Sequence, residues 1–168
     1  VHLLSSKAGV ELLRTSRAKG TQVTASVAML NLQFTDQIMS EFDPNFKVLP
    51  PLREATDQAS LIEALQDGTI DCIVSNHIAY EPEQKELEFA HAAFGATALQ
   101  SCFAQALTVL QPKMEVADIA ALFSHGPRRA LGLPAQSIAE EQVAAFTFFT
   151  TEGKKAFNQH ANTTKGPN

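Results

Sequence analysis

Apolar positions along the chain fall into short clusters whose spacing switches between the strand and helix periods. Val1 to Leu4 is an apolar run. Ser5 or Ser6 can N-cap the helix that follows, in which Val10, Leu12, Leu13 and Ala18 sit among Glu11, Arg14, Arg17 and Lys19, with Gly20 as its stop. Thr21 to Ala28, rich in β-branched and small residues, reads as a strand. Thr35-Asp36 opens a short helix that ends by Phe42-Asp43-Pro44, and Pro50-Pro51 makes the stretch from Phe46 to Arg53 an extended loop. Ala59, Leu61, Ile62 and Leu65 carry a helix period across Ala55 to Gln66, which Asp67-Gly68 terminates. Ile70 to Val74 reads as a buried strand and Glu81 to Glu88 as a charged surface loop. Thr97 to Leu110 and Val116 to Phe123 have amphipathic helical spacing, Gly126-Pro127 can open a third helix, and Val143 to Phe149 reads as a strand with Phe146, Phe148 and Phe149.

Strands alternating with helices at this spacing predict βαβ units around a parallel sheet. About three such units fit in 168 residues. A closed eight-stranded α/β barrel needs roughly 250, so the chain is expected to form part of one. An apolar run that begins at Val1, with no polar lead-in, also predicts a piece of a larger fold. The polar stretch from Asn158 to Asn168, with its Gly166-Pro167 pair, predicts a loose end.

Charge and composition narrow the function classes. Thirteen basic against 18 acidic side chains give a formal charge of -5, without the basic surface that phosphate-backbone binding needs, so nucleic acid is not an expected partner. No stretch approaches 18 uninterrupted apolar residues, so no membrane span is expected. Cys72 and Cys102, far apart in a Cys-poor chain, predict a reducing, cytoplasmic setting rather than a disulfide-stapled domain.

In parallel α/β folds the site lies at the carboxyl ends of the strands, which selects Leu3 and Leu4, Met29 to Asn31, Leu49 to Arg53 and Ser75 to Tyr80. His77 directly follows a strand and reads either as a ligand or general base, or as a structural hydrogen-bonding histidine. His2, His91, His125 and His160 lack metal-ligand spacing. Arg53, behind two stiffening prolines, can hold a guanidinium toward a carboxylate or form an ordinary surface salt bridge. Gly95 can open a turn that aims N–H groups at an anion, or serve as a plain cap. Both cysteines read as inert buried thiols.

The segments Lys47-Val48-Leu49-Pro50-Pro51-Leu52-Arg53 and Asp67-Gly68-Thr69-Ile70-Asp71-Cys72-Ile73, with Ser75-Asn76-His77, Ala93-Phe94-Gly95 and Pro127-Arg128-Arg129-Ala130-Leu131-Gly132-Leu133, resemble the C-terminal half of a dihydroorotase of the amidohydrolase superfamily. The resemblance covers nearly the whole chain. It implies a metal-dependent-hydrolase (β/α)₈ TIM barrel, with residues 1–134 as the C-terminal part of the barrel and 135–168 as a β-sandwich strand and polar tail. It also implies a family chemistry, the interconversion of carbamoyl aspartate and dihydroorotate in pyrimidine biosynthesis. That reaction uses zinc-activated hydroxide and a proton-shuttling carboxylate.

The departures from that pattern set the functional expectation. The family's ligand histidine before Ser-Ser falls on Leu3, with His2 one residue off, and the histidine of its Pro-His-His segment falls on Leu30. The substrate-touching Asn before Pro-Pro-Leu-Arg is Leu49, the catalytic Asp is Asn76, and the last His of that Asp's segment is Tyr80. Leucine cannot ligate a metal, and neutral Asn cannot accept the proton an Asp takes. The expectation is therefore a non-catalytic dihydroorotase-like pseudoenzyme, with no metal held by this chain and no catalytic residue. Arg53 and His77 are its remaining candidate substrate-binding groups. Alternatives are an active dihydroorotase whose divergent zinc site is completed by a missing N-terminal half, and a module that binds a carboxylated molecule through Arg53. The resemblance further implies a homo-oligomer and aspartate carbamoyltransferase as a partner.

Overall fold

The computed structural model describes residues 1–141 and 145–153. Its helices are α1 (Lys7–Ala18), α2 (Met29–Gln33), α3 (Ala55–Gln66), α4 (Cys102–Leu110), α5 (Val116–Phe123) and α6 (His125–Ala130), and its strands β1 (Ser26–Ala28) and β2 (Cys72–Val74). The strands pair in parallel, with Ser26 opposite Cys72, Val27 opposite Ile73 and Ala28 opposite Val74.

Val1 to Leu4 runs beside β1 in the expected place but is not a regular strand. Its terminal amine donates to Thr24 O, Val1 O accepts from Ser26 N, and Leu4 N donates to Ser26 O. Val1 and Leu4 thus flank one residue of β1 with one residue too many between them, and Leu3, at φ +59°, is where the excess is absorbed. The extra residue is a bulge, which breaks the alternation that an ungapped strand would have.

Side chains of alternate strand residues go to opposite faces. Val27 and Ile73 enter the main core with Val10 of α1, Met29 and Leu32 of α2, Leu61 and Leu65 of α3, Ala106 and Leu110 of α4, and Ile119 of α5. The helices therefore cover one face of the sheet, as a barrel wall requires. On the opposite face Ser26, Cys72 and Val74 line a cavity of about 320 Å³ with His2 and, from α6, Ala130.

Local signals account for most helix ends. Ser6 Oγ accepts from Gly9 N at 3.2 Å and caps α1, and Gly20 (φ +85°) and Gly68 (φ +76°) follow α1 and α3. Asp36–Glu41 is a 3-10 helix closed by Phe42 in the left-handed region. The 3-10 turn Pro82–Gln84 falls in the expected charged loop. α2 departs from the expectation of a strand end at Met29 to Asn31, because β1 runs straight into a helix with no side-chain cap to announce it.

A buried carboxylate fastens the wall together. Asp71, next to β2, accepts from Arg17 of α1 at 2.6 Å, Arg129 of α6 at 3.0 Å and Ala25 N at 2.8 Å. α6 can come this close only because of a glycine: a Cβ on Gly126 would lie 2.0 Å from Asp71 O.

Residues 135–141 and 145–153 form no helix or strand. Of the expected strand Val143 to Phe149, Val143 and Ala144 lie outside the described residues, and Ala145 to Phe149 carries no strand pairing, although Phe149 packs edge-on against Phe103 at 4.9 Å. The expected loose end, Asn158 to Asn168, lies outside the described residues.

Candidate functional site

The carboxyl ends of Val1–Leu4, β1 and β2 open onto three loops, residues 34–54, 75–101 and the bulge at Leu3. Every site residue expected from sequence lies on these. What each side chain touches decides what it can do.

His77 extends from β2 and makes an isolated parallel bridge with Ala96. Its Nδ1 accepts from Ala98 N at 3.2 Å and Leu99 N at 3.4 Å. An Nδ1 that accepts two backbone N–H groups fixes the neutral ring with its proton on Nε2, so neither nitrogen offers a free lone pair to a metal. Of the two readings open for His77, the hydrogen bonds carry the structural one: it pins the 96–99 turn to β2.

Asn76 sits in the left-handed region at φ +48°, a conformation Asn tolerates, and donates from Nδ2 to Leu49 O at 3.1 Å. This ties the two site loops together. Its side chain has neither the charge nor the basicity of the family's Asp.

Arg53 donates from Nε to Oγ of the buried Ser5 at 3.0 Å, and its carbonyl accepts from Asp36 N. It forms no ion pair among the described residues, so the surface salt bridge open to it from sequence is not made. The rest of its guanidinium is exposed at the mouth of the fold.

The three leucines at ligand and substrate positions differ. Leu30, in the first turn of α2, is buried in an apolar cluster with Val48, Leu52, Phe34, Ile38 and Phe46. Leu3 is half-buried at the bulge, its N–H donating to Ser26 Oγ at 3.1 Å, and His2 Nδ1 shares that hydroxyl at 3.0 Å. Leu49 is 62% exposed. The expectation that all three fill the pocket holds fully for Leu30 alone: the loop that carries Leu49 turns its side chain outward.

Two lysines that the sequence reading passed over organise these loops. Lys47 Nζ donates to Phe89 O and Ala90 O at 2.7 and 3.0 Å and lies 4.6 Å from the centre of the Phe94 ring. Lys85 Nζ donates to Ala93 O and Gly95 O, both at 2.9 Å. Both are buried, and burial followed by the neighbouring Lys47 charge pulls the Lys85 ammonium below the ordinary lysine range against a smaller opposing pull from Asp43. The signals were present: Lys47 stands between Phe46 and Val48, and Lys85 is the lone cation among four glutamates. Gly95, at φ +155°, is neither a helix cap nor an anion turn. A Cβ there would lie 2.8 Å from Ile78 Cβ, so the position serves close packing of the loop on itself.

The thiols are inert. Burial pushes Cys102 up to about 11, and burial with the Asp71 charge raises Cys72. No three His, Cys, Asp or Glu side chains converge as a metal-ligand set among the described residues. With His77 committed to backbone and Leu3 and Leu30 without donor atoms, the residues present do not fit a zinc centre. No helix among the described residues is long and apolar enough to cross a membrane.

No protein-family model matches the chain. Among curated proteins it is 39% identical over 147 residues to a dihydroorotase of Thermus aquaticus, a match over 86% of this chain and 34% of that protein. It is 34% identical over 151 residues to a dihydroorotase-like protein of Pseudomonas aeruginosa, covering 89% of this chain and 36% of that one. Among solved structures it superposes on the L-hydantoinase (dihydropyrimidinase) of Arthrobacter aurescens with a TM-score of 0.72 at 26% identity, over 79% of this chain and 30% of that enzyme. The chain thus spans about a third of the length of the relatives it matches. Its half-wall of parallel strands backed by helices is the corresponding part of their barrel. The sequence matches, the superposition and the retained Pro-Pro-Leu-Arg and Asp-Gly-Thr-Ile-Asp segments together identify a dihydroorotase-like chain of the amidohydrolase superfamily.

Proposed function

We propose that this chain belongs to a non-catalytic dihydroorotase-like protein that keeps the barrel wall of the family as a scaffold within pyrimidine biosynthesis. The observation that carries the reading is Leu30, which occupies a ligand position and is packed among apolar side chains rather than facing an open pocket. His77 supports it, since its Nδ1 is taken by two backbone N–H groups. Asn76 supports it too, as a neutral amide that ties Leu49 to β2 where the chemistry needs a carboxylate. An apolar side chain at Leu30 also removes the cost of clustering buried ligands with no cation to neutralise them.

As a scaffold the protein acts by association, with aspartate carbamoyltransferase as the partner suggested by the family resemblance and a homo-oligomer as its own state. The competing reading is an active enzyme with divergent zinc ligation from outside this chain. The test is cyclisation of carbamoyl aspartate by the full-length protein, with Asn76→Asp beside it. The scaffold reading expects no turnover from either, because restoring the carboxylate does not restore a metal for it to serve. Turnover by the parent, or its appearance in Asn76→Asp, overturns it.

A further inference from the structure

We propose that the loop face at the carboxyl ends of the strands docks a cationic amphipathic segment of a partner protein. The proposal rests on the non-catalytic reading, because an active enzyme would hold substrate at this same end.

The centre of the face is apolar. Phe42, Leu49, Ile78, Phe94 and Leu99 are between 41 and 66% exposed. They share one surface: Asn76 joins Leu49 to β2, Ile78 lies against Gly95 beside Phe94, His77 holds Leu99, and Phe42 stacks edge-on against Phe89 at 5.8 Å. Contiguous exposed apolar surface of this kind marks an interaction site more often than a free face.

Charge selects the occupant. The same loops expose Glu41, Glu81, Glu83, Glu86 and Glu88. Their two lysines, Lys47 and Lys85, do not offset this rim at the surface, because both ammonium groups turn inward onto backbone carbonyls. An apolar centre inside an acidic rim attracts a segment that presents leucine-like side chains flanked by Lys or Arg. A second copy docking by the same face would set one acidic rim against another, and nucleic acid or an anionic membrane would be repelled.

The probe is a labelled 18-residue peptide of Leu and Lys at helical spacing, titrated with the chain by fluorescence anisotropy. The same peptide with Glu in place of Lys serves as control. Two variants weaken the face: Leu49→Ser with Ile78→Ser and Leu99→Ser, and Glu83→Lys with Glu86→Lys. Leu12→Ser, at a 68% exposed position on α1, is the comparison. The expected result is binding of the Lys peptide that weakens at least tenfold in both face variants and is unchanged in Leu12→Ser, with no binding of the Glu peptide. Should the serine variant lose its fold by circular dichroism, the charge-reversal pair alone decides. Equal affinity for parent and face variants, equal loss in Leu12→Ser, or self-association of the parent that the face variants abolish would each overturn the proposal. Zinc content and turnover are not read here, so failure of this docking site and failure of the non-catalytic reading are separate results.

Discussion

Leu30→His restores the family's residue type at a ligand position and asks whether the pocket is still a metal site. Leu30 is 7% exposed and touches Val48, Leu52 and a surround of phenylalanine, isoleucine and methionine. Burying a leucine is worth about 1.5–3 kcal/mol, of which an imidazole of similar volume keeps a part. The imidazole also brings N–H and N groups into a cluster whose members offer no side-chain partner, at a cost of about 1–3 kcal/mol per unsatisfied group, reduced by whatever the ring recovers from backbone or solvent. The net expectation is a loss of about 1–3 kcal/mol. With a urea dependence of about 2 kcal/mol per molar for a chain of this size, the unfolding midpoint should fall by roughly 0.5–1.5 M. The assay is paired urea unfolding of parent and variant, with and without added zinc. A midpoint unchanged without zinc and raised by zinc would refute the reasoning, because it would mean that the side chain had entered an open site where other ligands wait.

Other consequences follow from the fastenings of the wall. Asp71→Asn removes the charge that holds Arg17 and Arg129, and since both arginines keep solvent contact the loss should be about 2–4 kcal/mol by thermal or urea unfolding; a loss below 0.5 kcal/mol would show that the cluster contributes little. Lys85→Met strands two buried carbonyls and should cost about 1–3 kcal/mol near neutral pH. The pH dependence has a definite sign. Lys85 sheds its proton in the folded state below the ordinary value of 10.5 and in the unfolded state at that value. Between the two the unfolded chain binds more protons, so the parent gains stability relative to Lys85→Met as pH rises through that window, and a narrowing gap would contradict the burial argument.

Much of the fold is legible where local chemistry and burial agree. α3 and α5 begin and end at the residues the spacing predicts, and α1 does so within one, because caps, glycines and a helical apolar period coincide there. The bulge at Leu3 is not legible, since nothing in Val-His-Leu-Leu marks which residue is extra, and that one residue decides whether His2 or Leu3 takes the ligand register. α2 is hidden for a related reason: Met29-Leu30-Asn31 is as apolar as the strand before it. At the site, sequence placed His77, Asn76 and Arg53 on the correct strand ends but could not tell a ligand from a brace, because that difference lies in which backbone groups reach His77 Nδ1. The inward lysines and the outward Leu49 invert the usual burial of their types. Tertiary closure of the 34–54 and 75–101 loops produces both.

The central claim, that the chain is a retained scaffold without a working metal site, is tested most directly by metal content. Full-length protein purified without chelator is dialysed against zinc and then against buffer, and its metal is measured by inductively coupled plasma mass spectrometry, with His77→Ala in parallel. The account predicts well under one zinc per chain in the parent and no change in His77→Ala, whose effect should appear instead as lost stability. One or more tightly held zinc ions per chain, reduced by His77→Ala, would contradict it.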